Sequence, residues 1–283
     1  MDLTVHFIDS FTEAAFKGNP AAVIITNTWL PDSLMQSIAV EHNLSETAFV
    51  KRIDEQHYQI RWFSPITEID FCGHATLAAA FVIFKQHKAL EQISFFAKAV
   101  GDIVVDAQEN GYMQMCFPNN KPKTVKKVPE ALQQGLSIVP SKVLVNGQAY
   151  FVVYEDEAQV KAVITNNNIL AKLAPLDVVV TAKSQQYDFI SRYFWPANGG
   201  DEDPVTGSIH SGLAPFWAEQ LHKTSLVAYQ ASQRGGTLLC EVTDKQVYVS
   251  GKAIQYLEGT ISLTLLTKKY TTRLLAQACN LSV

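Results

Sequence analysis

The residues in this chain best suited to chemistry sit in two short runs, each ending at a glycine that opens an apolar segment. The first is Phe71-Cys72-Gly73-His74-Ala75-Thr76-Leu77, and the second is Asp203-Pro204-Val205-Thr206-Gly207-Ser208. A helix N-terminus leaves backbone N–H groups unpaired and carries a partial positive charge, so a helix starting at each glycine forms an anion site. Gly73 and Gly207 allow a ligand to approach the backbone closely. Two such ends facing across a cleft would grip a carboxylate and stabilise charge developing beside it. Thr206 and Ser208 are also ordinary caps, and Asp201, Glu202 and Asp203 suit a helix dipole, so these residues alone leave a structural role open. Glu46 is a third candidate. It follows a helix stop and enters an apolar strand, where a carboxylate is partly desolvated and suited to proton transfer.

Other chemistry lacks a sequence signal. The four cysteines, Cys72, Cys116, Cys240 and Cys279, are scattered and form no CxxC pair, which reads as reduced and mostly buried thiols. The seven histidines form no HExxH and no zinc-spaced cluster, and neither GxGxxG nor GxxxxGK[ST] occurs. We expect no metal and no cofactor. A net charge of −4 gives no strong field for nucleic acid or a lipid surface. The longest uncharged apolar stretch, Ala75 to Phe84, is about half of a bilayer span. The opening MDLTVHFIDS lacks a signal-peptide layout, so the expected location is the cytoplasm.

The elements that must position these residues fall into two similar halves, in line with 283 residues and about 150 per domain. Strands at Thr4 to Asp9 and Ala21 to Thr26 precede a helix from Pro31 that stops at Asn43. Strands at Thr47 to Lys51 and Tyr58 to Phe63 follow, then a helix from Gly73 to about His87, and strands at Gln92 to Phe96, Asp102 to Ala107 and Tyr112 to Phe117. Residues 119–127 read as a linker rich in lysine and proline, between an N-terminal lobe at 1–118 and a C-terminal lobe at 128–270. Residues 271–283 are expected to pack back on the first lobe. A hairpin at Asn146-Gly147 opens the second half. Arg61-Trp62-Phe63-Ser64-Pro65 is echoed by Arg192-Tyr193-Phe194-Trp195-Pro196. Neither apolar helix shows a charged stripe, so each is enclosed by protein, and Pro215 is expected to kink the second. The expected fold is α+β: two pseudo-symmetric lobes, each a curved β-sheet or barrel around one central helix.

Five motifs in order carry a family resemblance. They are Phe16-Lys17-Gly18-Asn19-Pro20-Ala21-Ala22-Val23, Asn43-Leu44-Ser45-Glu46-Thr47-Ala48-Phe49, the two glycine runs above, and Gln230-Ala231-Ser232-Gln233-Arg234-Gly235-Gly236. Together they resemble the phenazine biosynthesis PhzF-like family of the diaminopimelate epimerase-like superfamily. The resemblance implies a homodimeric, cofactor-independent isomerase with its active site between two lobes. It implies Glu46 as general acid/base, with His74 and Asp203 orienting the substrate and helping to shuttle protons. Gly73, Gly207 and Ser208 are implied substrate contacts, and Asn19 and Cys72 are secondary candidates. Related racemases use two cysteines, one at each helix start. Here Cys72 fills the first place and Pro204 lies near the second, so a two-thiol mechanism is disfavoured. The expected reaction is movement of a carbon-bound proton on a small carboxylate-bearing substrate. The alternatives are an epimerase using Cys72 with another base, and a non-catalytic carboxylate-binding protein.

Overall fold

The computed structural model describes residues 1–263. Alternating apolar and polar residues make most of this chain strand. In His57–Phe63, Tyr58, Ile60 and Trp62 are buried while Gln59 and Arg61 are partly exposed. The N-terminal lobe runs through Asp2–Ser10, Asn19–Thr26, Glu46–Arg52, His57–Phe63, Gln92–Ala97, Gly101–Ala107 and Met113–Pro118. Consecutive members pair antiparallel, except that the second and third, and the fourth and fifth, pair parallel.

The C-terminal lobe repeats this order and these directions through Lys142–Val145, Ala149–Val153, Asp177–Lys183, Phe189–Phe194, Ser225–Gln230, Gly236–Val242 and Gln246–Gly251. A two-residue strand hangs on the fourth member of each lobe: Glu68–Ile69 in one and Glu202–Asp203 in the other. The duplicated α+β architecture expected from sequence is therefore present. The closing strands of the two lobes pair with each other. The lobes also exchange strands: Lys123–Thr124 joins the first strand of the C-terminal lobe, and Ala253–Ser262 joins the first strand of the N-terminal lobe. Residues 271–283 lie outside the described residues.

Each lobe wraps one apolar helix, Gly73–Gln86 or His210–Leu221. Every residue from Gly73 to Ala80 and from His210 to Trp217 is buried, as segments without a polar face require. The helix Asp32–His42 packs outside the first lobe and stops at Asn43, which takes a left-handed conformation with φ 49°. Pro215 lies inside the second central helix and has no N–H to give the Ser211 carbonyl. That carbonyl instead accepts the backbone N–H of Asn120 at 3.0 Å, which ties the inter-lobe segment to the helix. Among the described residues, no helix is long and apolar enough to cross a membrane.

Of the described cysteines, Cys72 and Cys240 are buried. Cys116 is exposed because the outward-facing positions of Met113–Pro118 are open, so the described thiols are mostly buried, as expected.

Candidate active site

The two glycine runs meet. A methyl group built on Gly73 would lie 3.7 Å from the Gly207 Cα and 3.6 Å from the Ser208 nitrogen, so the helix starts touch backbone to backbone. The turns differ in tightness. The first helix begins at Gly73 itself, whereas Gly207 to Ile209 form a 3₁₀-like turn ahead of His210. Around this contact lies a cavity of about 370 Å³ lined by both lobes.

From the first lobe, Glu46 begins the third strand and is 6% exposed. Its Oε2 lies 2.9 Å from His74 Nε2. The two form a close, buried pair. Asn19 is fully buried behind the cavity wall. Its amide nitrogen lies 3.0 Å from His74 Nδ1 and donates to Asp203 Oδ1 at 2.7 Å and to the Val205 carbonyl at 2.9 Å. That amide has two protons, which Asp203 and Val205 accept, so it borders Nδ1 of His74, while Nε2 is the ring nitrogen that faces Glu46. Gly18 turns the chain into this strand at φ +67°, and a methyl there would lie 2.1 Å from the Ser10 carbonyl oxygen.

From the second lobe come Asp203, Thr206, Gly207 and Ser208. The Thr206 hydroxyl donates to Asp203 Oδ2 at 2.5 Å. Gln230, fully buried, locks this corner: its Nε2 donates to the Asp203 carbonyl at 2.7 Å and its Oε1 accepts the Thr206 N–H at 2.9 Å. Arg234, from the same motif, donates to the Gly18 carbonyl and to Asp9, holding the Asn19 strand against the second lobe. The Ser208 hydroxyl accepts from Gln148 Nε2 at 2.9 Å, which leaves its own proton to donate. The Asn146-Gly147 turn aims Gln148, because Asn146 Oδ1 accepts the backbone N–H of Gln148 at 2.8 Å and of Ala149 at 3.1 Å.

The electrostatics follow from burial. Asp203 is pushed up to about 6 by desolvation, with the Glu46 charge adding to it and His74 opposing it. Desolvation works to depress His74, but the charges of Glu46 and Asp203 outweigh it and raise the imidazole pKa. Burial, and then Glu46, push the Cys72 thiol well above its ordinary range, so it is neutral. His210 is pushed down to about 4 by burial and stays uncharged behind the second helix start. Glu46, Cys72 and His74 bring an oxygen, a sulfur and a nitrogen within 4.8 Å of one another, close enough to share a zinc-type ion. Ligand atoms around a tetrahedral ion sit about 3.3 Å apart. An ion would therefore have to separate Glu46 from His74, which now lie 2.9 Å apart.

The structure thus gathers Glu46, Cys72, Gly73, His74, Asp203, Gly207 and Ser208 around one cavity and sets Asn19 behind it. Sequence reasoning missed Gln148, Asp177 and Tyr193, which also line it. Strand register corrects one pairing as well. Trp62 pairs with Ile69, and Tyr193 pairs with Asp203. Three residues on from each stand Cys72 and Thr206, so Thr206 and not Pro204 is the counterpart of Cys72.

Comparison with known proteins agrees with this geometry. The family model described as phenazine biosynthesis-like protein matches residues 8–259. An uncharacterized isomerase of Pseudomonas aeruginosa is 43% identical over 263 residues, covering 93% of this chain and 100% of the relative. The crystal structure of a phenazine biosynthesis protein of the PhzF family from Enterococcus faecalis superposes with a TM-score of 0.88 at 39% identity, over 93% of this chain and 100% of that one. A hydroxyproline epimerase from Agrobacterium vitis, bound to trans-4-hydroxy-L-proline, shares the fold alone, with a TM-score of 0.59 at 8% identity over 93% of each chain. By its family match, its relatives and its fold, the chain belongs to the phenazine biosynthesis-like (PhzF) family.

Proposed function

We propose that the protein is a cofactor-independent isomerase that moves a carbon-bound proton on a small carboxylate-bearing substrate, with Glu46 as general acid/base. The observation that carries this reading is Glu46 itself. It is 6% exposed, pairs with His74 at 2.9 Å, and lines the cavity where the two helix starts meet. The family relatives named as isomerases point to the same class of reaction.

In this mechanism the substrate carboxylate sits at the unsatisfied N–H groups of the helix starts around Gly73 and Gly207, with the Ser208 hydroxyl donating to it. Glu46 removes the proton from a neighbouring carbon and returns it to another. The charge that develops on the carboxylate meets fixed backbone dipoles that need no reorganisation. His74, whose Nε2 faces Glu46, steadies the carboxylate and relays its proton. Asp203 holds the His74 ring through Asn19. Cys72 is neutral and takes no part.

The test is proton exchange. Incubated in heavy water with a panel of small carboxylic acids bearing an acidic C–H, the protein is expected to incorporate deuterium into one of them, read by mass spectrometry. Glu46→Gln should slow the exchange by about 10²- to 10⁴-fold, the range for removing a general acid/base. Full exchange in that variant would overturn the assignment of the base.

A further inference from the structure

A second cavity, of about 240 Å³, lies at the seam between the lobes and shares no lining residue with the cavity at the helix starts. Two hairpin turns form it. Residues 11–18 connect the first two strands of the N-terminal lobe, and residues 231–235 connect the fifth and sixth strands of the C-terminal lobe. Backbone hydrogen bonds lock the turns together: the Gly18 N–H donates to the Gly235 carbonyl at 2.7 Å, and the Thr237 N–H to the Phe11 carbonyl at 3.0 Å. Gly235 takes φ +69°, and a methyl there would lie 2.0 Å from the Tyr229 hydroxyl oxygen, so glycine is what leaves that hydroxyl its place on the cavity wall. We propose that this cavity is a second binding site, for a phosphate-type dianion held across the two lobes by Lys17, Arg234 and Lys252.

Two observations carry it. The first is a set of unused donors. Arg234 directs Nε and Nη2 to the Gly18 and Lys17 carbonyls and to Asp9, which leaves both protons of Nη1 without an acceptor among the described residues. The hydroxyls of Tyr112, Tyr229 and Thr237 also belong to the lining, and among the described residues they donate to no other group. Burial, and then the neighbouring Tyr187, raise the Tyr229 pKa, so this hydroxyl keeps its proton to give. Cations and hydroxyl donors around one space are what the oxygens of a phosphate group accept from.

The second observation is the charge balance. Among the described lining residues, three cations stand against one carboxylate, Glu13, in a chain whose net charge is −4. Asp9 offsets part of this from behind Arg234. It is fixed there, with a side chain 6% exposed and its second oxygen accepting the Phe16 N–H at 3.0 Å. Glu13 is different. It pairs with Lys252 from the surface, with a side chain 69% exposed, and such a pair is weak. An incoming anion can therefore take Lys252 while Glu13 returns to water. With Glu13 displaced, three cations against Asp9 leave two positive charges, which a dianion matches. Glu13 thus stands where the ligand would bind.

Calorimetry on the full chain tests this, with inorganic phosphate, phenyl phosphate and acetate as probes at pH 8 and constant ionic strength. Inorganic phosphate should bind about tenfold more tightly than acetate. Lys252→Gln should weaken it about tenfold, and Lys17→Gln by about threefold. Glu13→Gln should act in the opposite direction and tighten it by about threefold, because the competing carboxylate is gone; a misfolded variant would not do this. Ser208→Ala, at the other cavity, should leave the phosphate affinity unchanged. Tighter binding of phenyl phosphate would identify the occupant as a phosphate monoester, and tighter binding of inorganic phosphate as the free ion; both support the site. Phosphate bound no more tightly than acetate, an affinity indifferent to Lys252→Gln and Glu13→Gln, or one lost in Ser208→Ala would overturn it.

Discussion

Arg61 and Arg192 hold the same position in the two lobes and do the same work. Arg61 forks onto Glu68 at 2.6 and 2.7 Å, and Arg192 onto Glu202 at 2.8 Å through both nitrogens. Each guanidinium also lies over the phenylalanine two residues on, Phe63 or Phe194. Both glutamates sit on the two-residue strand that leads to a glycine run. The echoed motif is thus a clamp that sets where each helix start lies. Along the same register the cavity residues differ: Glu46 against Asp177, Ile69 against Asp203, Cys72 against Thr206, and His74 against Ser208. The frame is symmetric and the chemistry is not. One lobe carries Glu46 and His74, the contacting pair suited to exchanging protons, and the other surrounds it with hydroxyls, an amide and fixed carboxylates. A pair of matched bases, one per lobe, is not what this arrangement offers.

The sharpest way to break that asymmetry is to neutralise the two strand-start carboxylates in turn. Glu46→Gln should cost about 10²- to 10⁴-fold in the maximal rate of deuterium exchange. Asp177→Asn leaves the Glu46–His74 pair in place and should lower that rate severalfold at most. Equal losses in kcat would make the lobes chemically equivalent and restore a two-base scheme.

The second prediction concerns Asp203, for which the first lobe has only Ile69. An acid whose folded pKa is raised from 3.8 to about 6 binds its proton more tightly in the native chain than in the unfolded one. Stability therefore falls as pH rises through that window, by about 3 kcal/mol for a shift of this size. The raised His74 has the same sign, since its contribution is full below pH 6.5 and is lost as pH rises through its folded value. Asp203→Asn keeps the shape and removes the acid. Denaturant midpoints between pH 4 and 8 should flatten in this variant, leaving it more stable than the wild type at pH 8. A wild-type profile that rises from pH 4 to 6 would show that Asp203 is not held up by burial.

How much of this was legible in the sequence depends on whether a signal is local. The charge-free helices, the Asn43 stop, the Asn146-Gly147 hairpin and the two glycine runs follow from composition over a few residues, and all are present. Gln148, Asp177 and Tyr193 were not legible. Each is a lone polar residue in or beside an apolar strand, and only the pairing of strands distant in sequence brings them to one cavity. The match of Cys72 with Thr206 was legible, since each stands one residue before its glycine, and the strand register agrees with that count. The return of Ala253–Ser262 to the first strand, by contrast, is a long-range pairing with no local mark. Gln230 and Arg234 stood in a recognised motif, but their task as struts under Asp203 and Gly18 needed the structure.

The third prediction tests whether the clamps are energetically alike. Arg192 also donates to the Val163 carbonyl at 2.9 Å, and the Arg192–Glu202 side chains are 16% and 24% exposed against 24% and 43% for Arg61–Glu68. Glu68 can return to water when its partner is lost, so Arg61→Ala should cost about 1 kcal/mol. Arg192→Ala strands a more buried carboxylate and a carbonyl and should cost about 2–3 kcal/mol. Urea midpoints compare the two, and equal costs would mean that the extra burial of the second clamp carries no weight.

The smallest effect is expected where the two lobes look most like a cysteine-pair enzyme. Cys72 lies 3.4 Å from His74 Nδ1, close enough in principle to pass a proton. Burial and the neighbouring Glu46 charge both disfavour its thiolate, and its counterpart Thr206 cannot act as a carbon base. Cys72→Ser keeps a small polar group at the same place with an even less acidic O–H. If the thiol is a spectator, deuterium exchange in this variant stays within about threefold of the wild type, a repacking-sized effect of under 1 kcal/mol. If the thiol were a proton donor, serine could not replace it and exchange would fall by about a hundredfold or more. That outcome, together with an alkylation-sensitive wild type, would place chemistry on Cys72 and reduce Glu46 to its electrostatic partner.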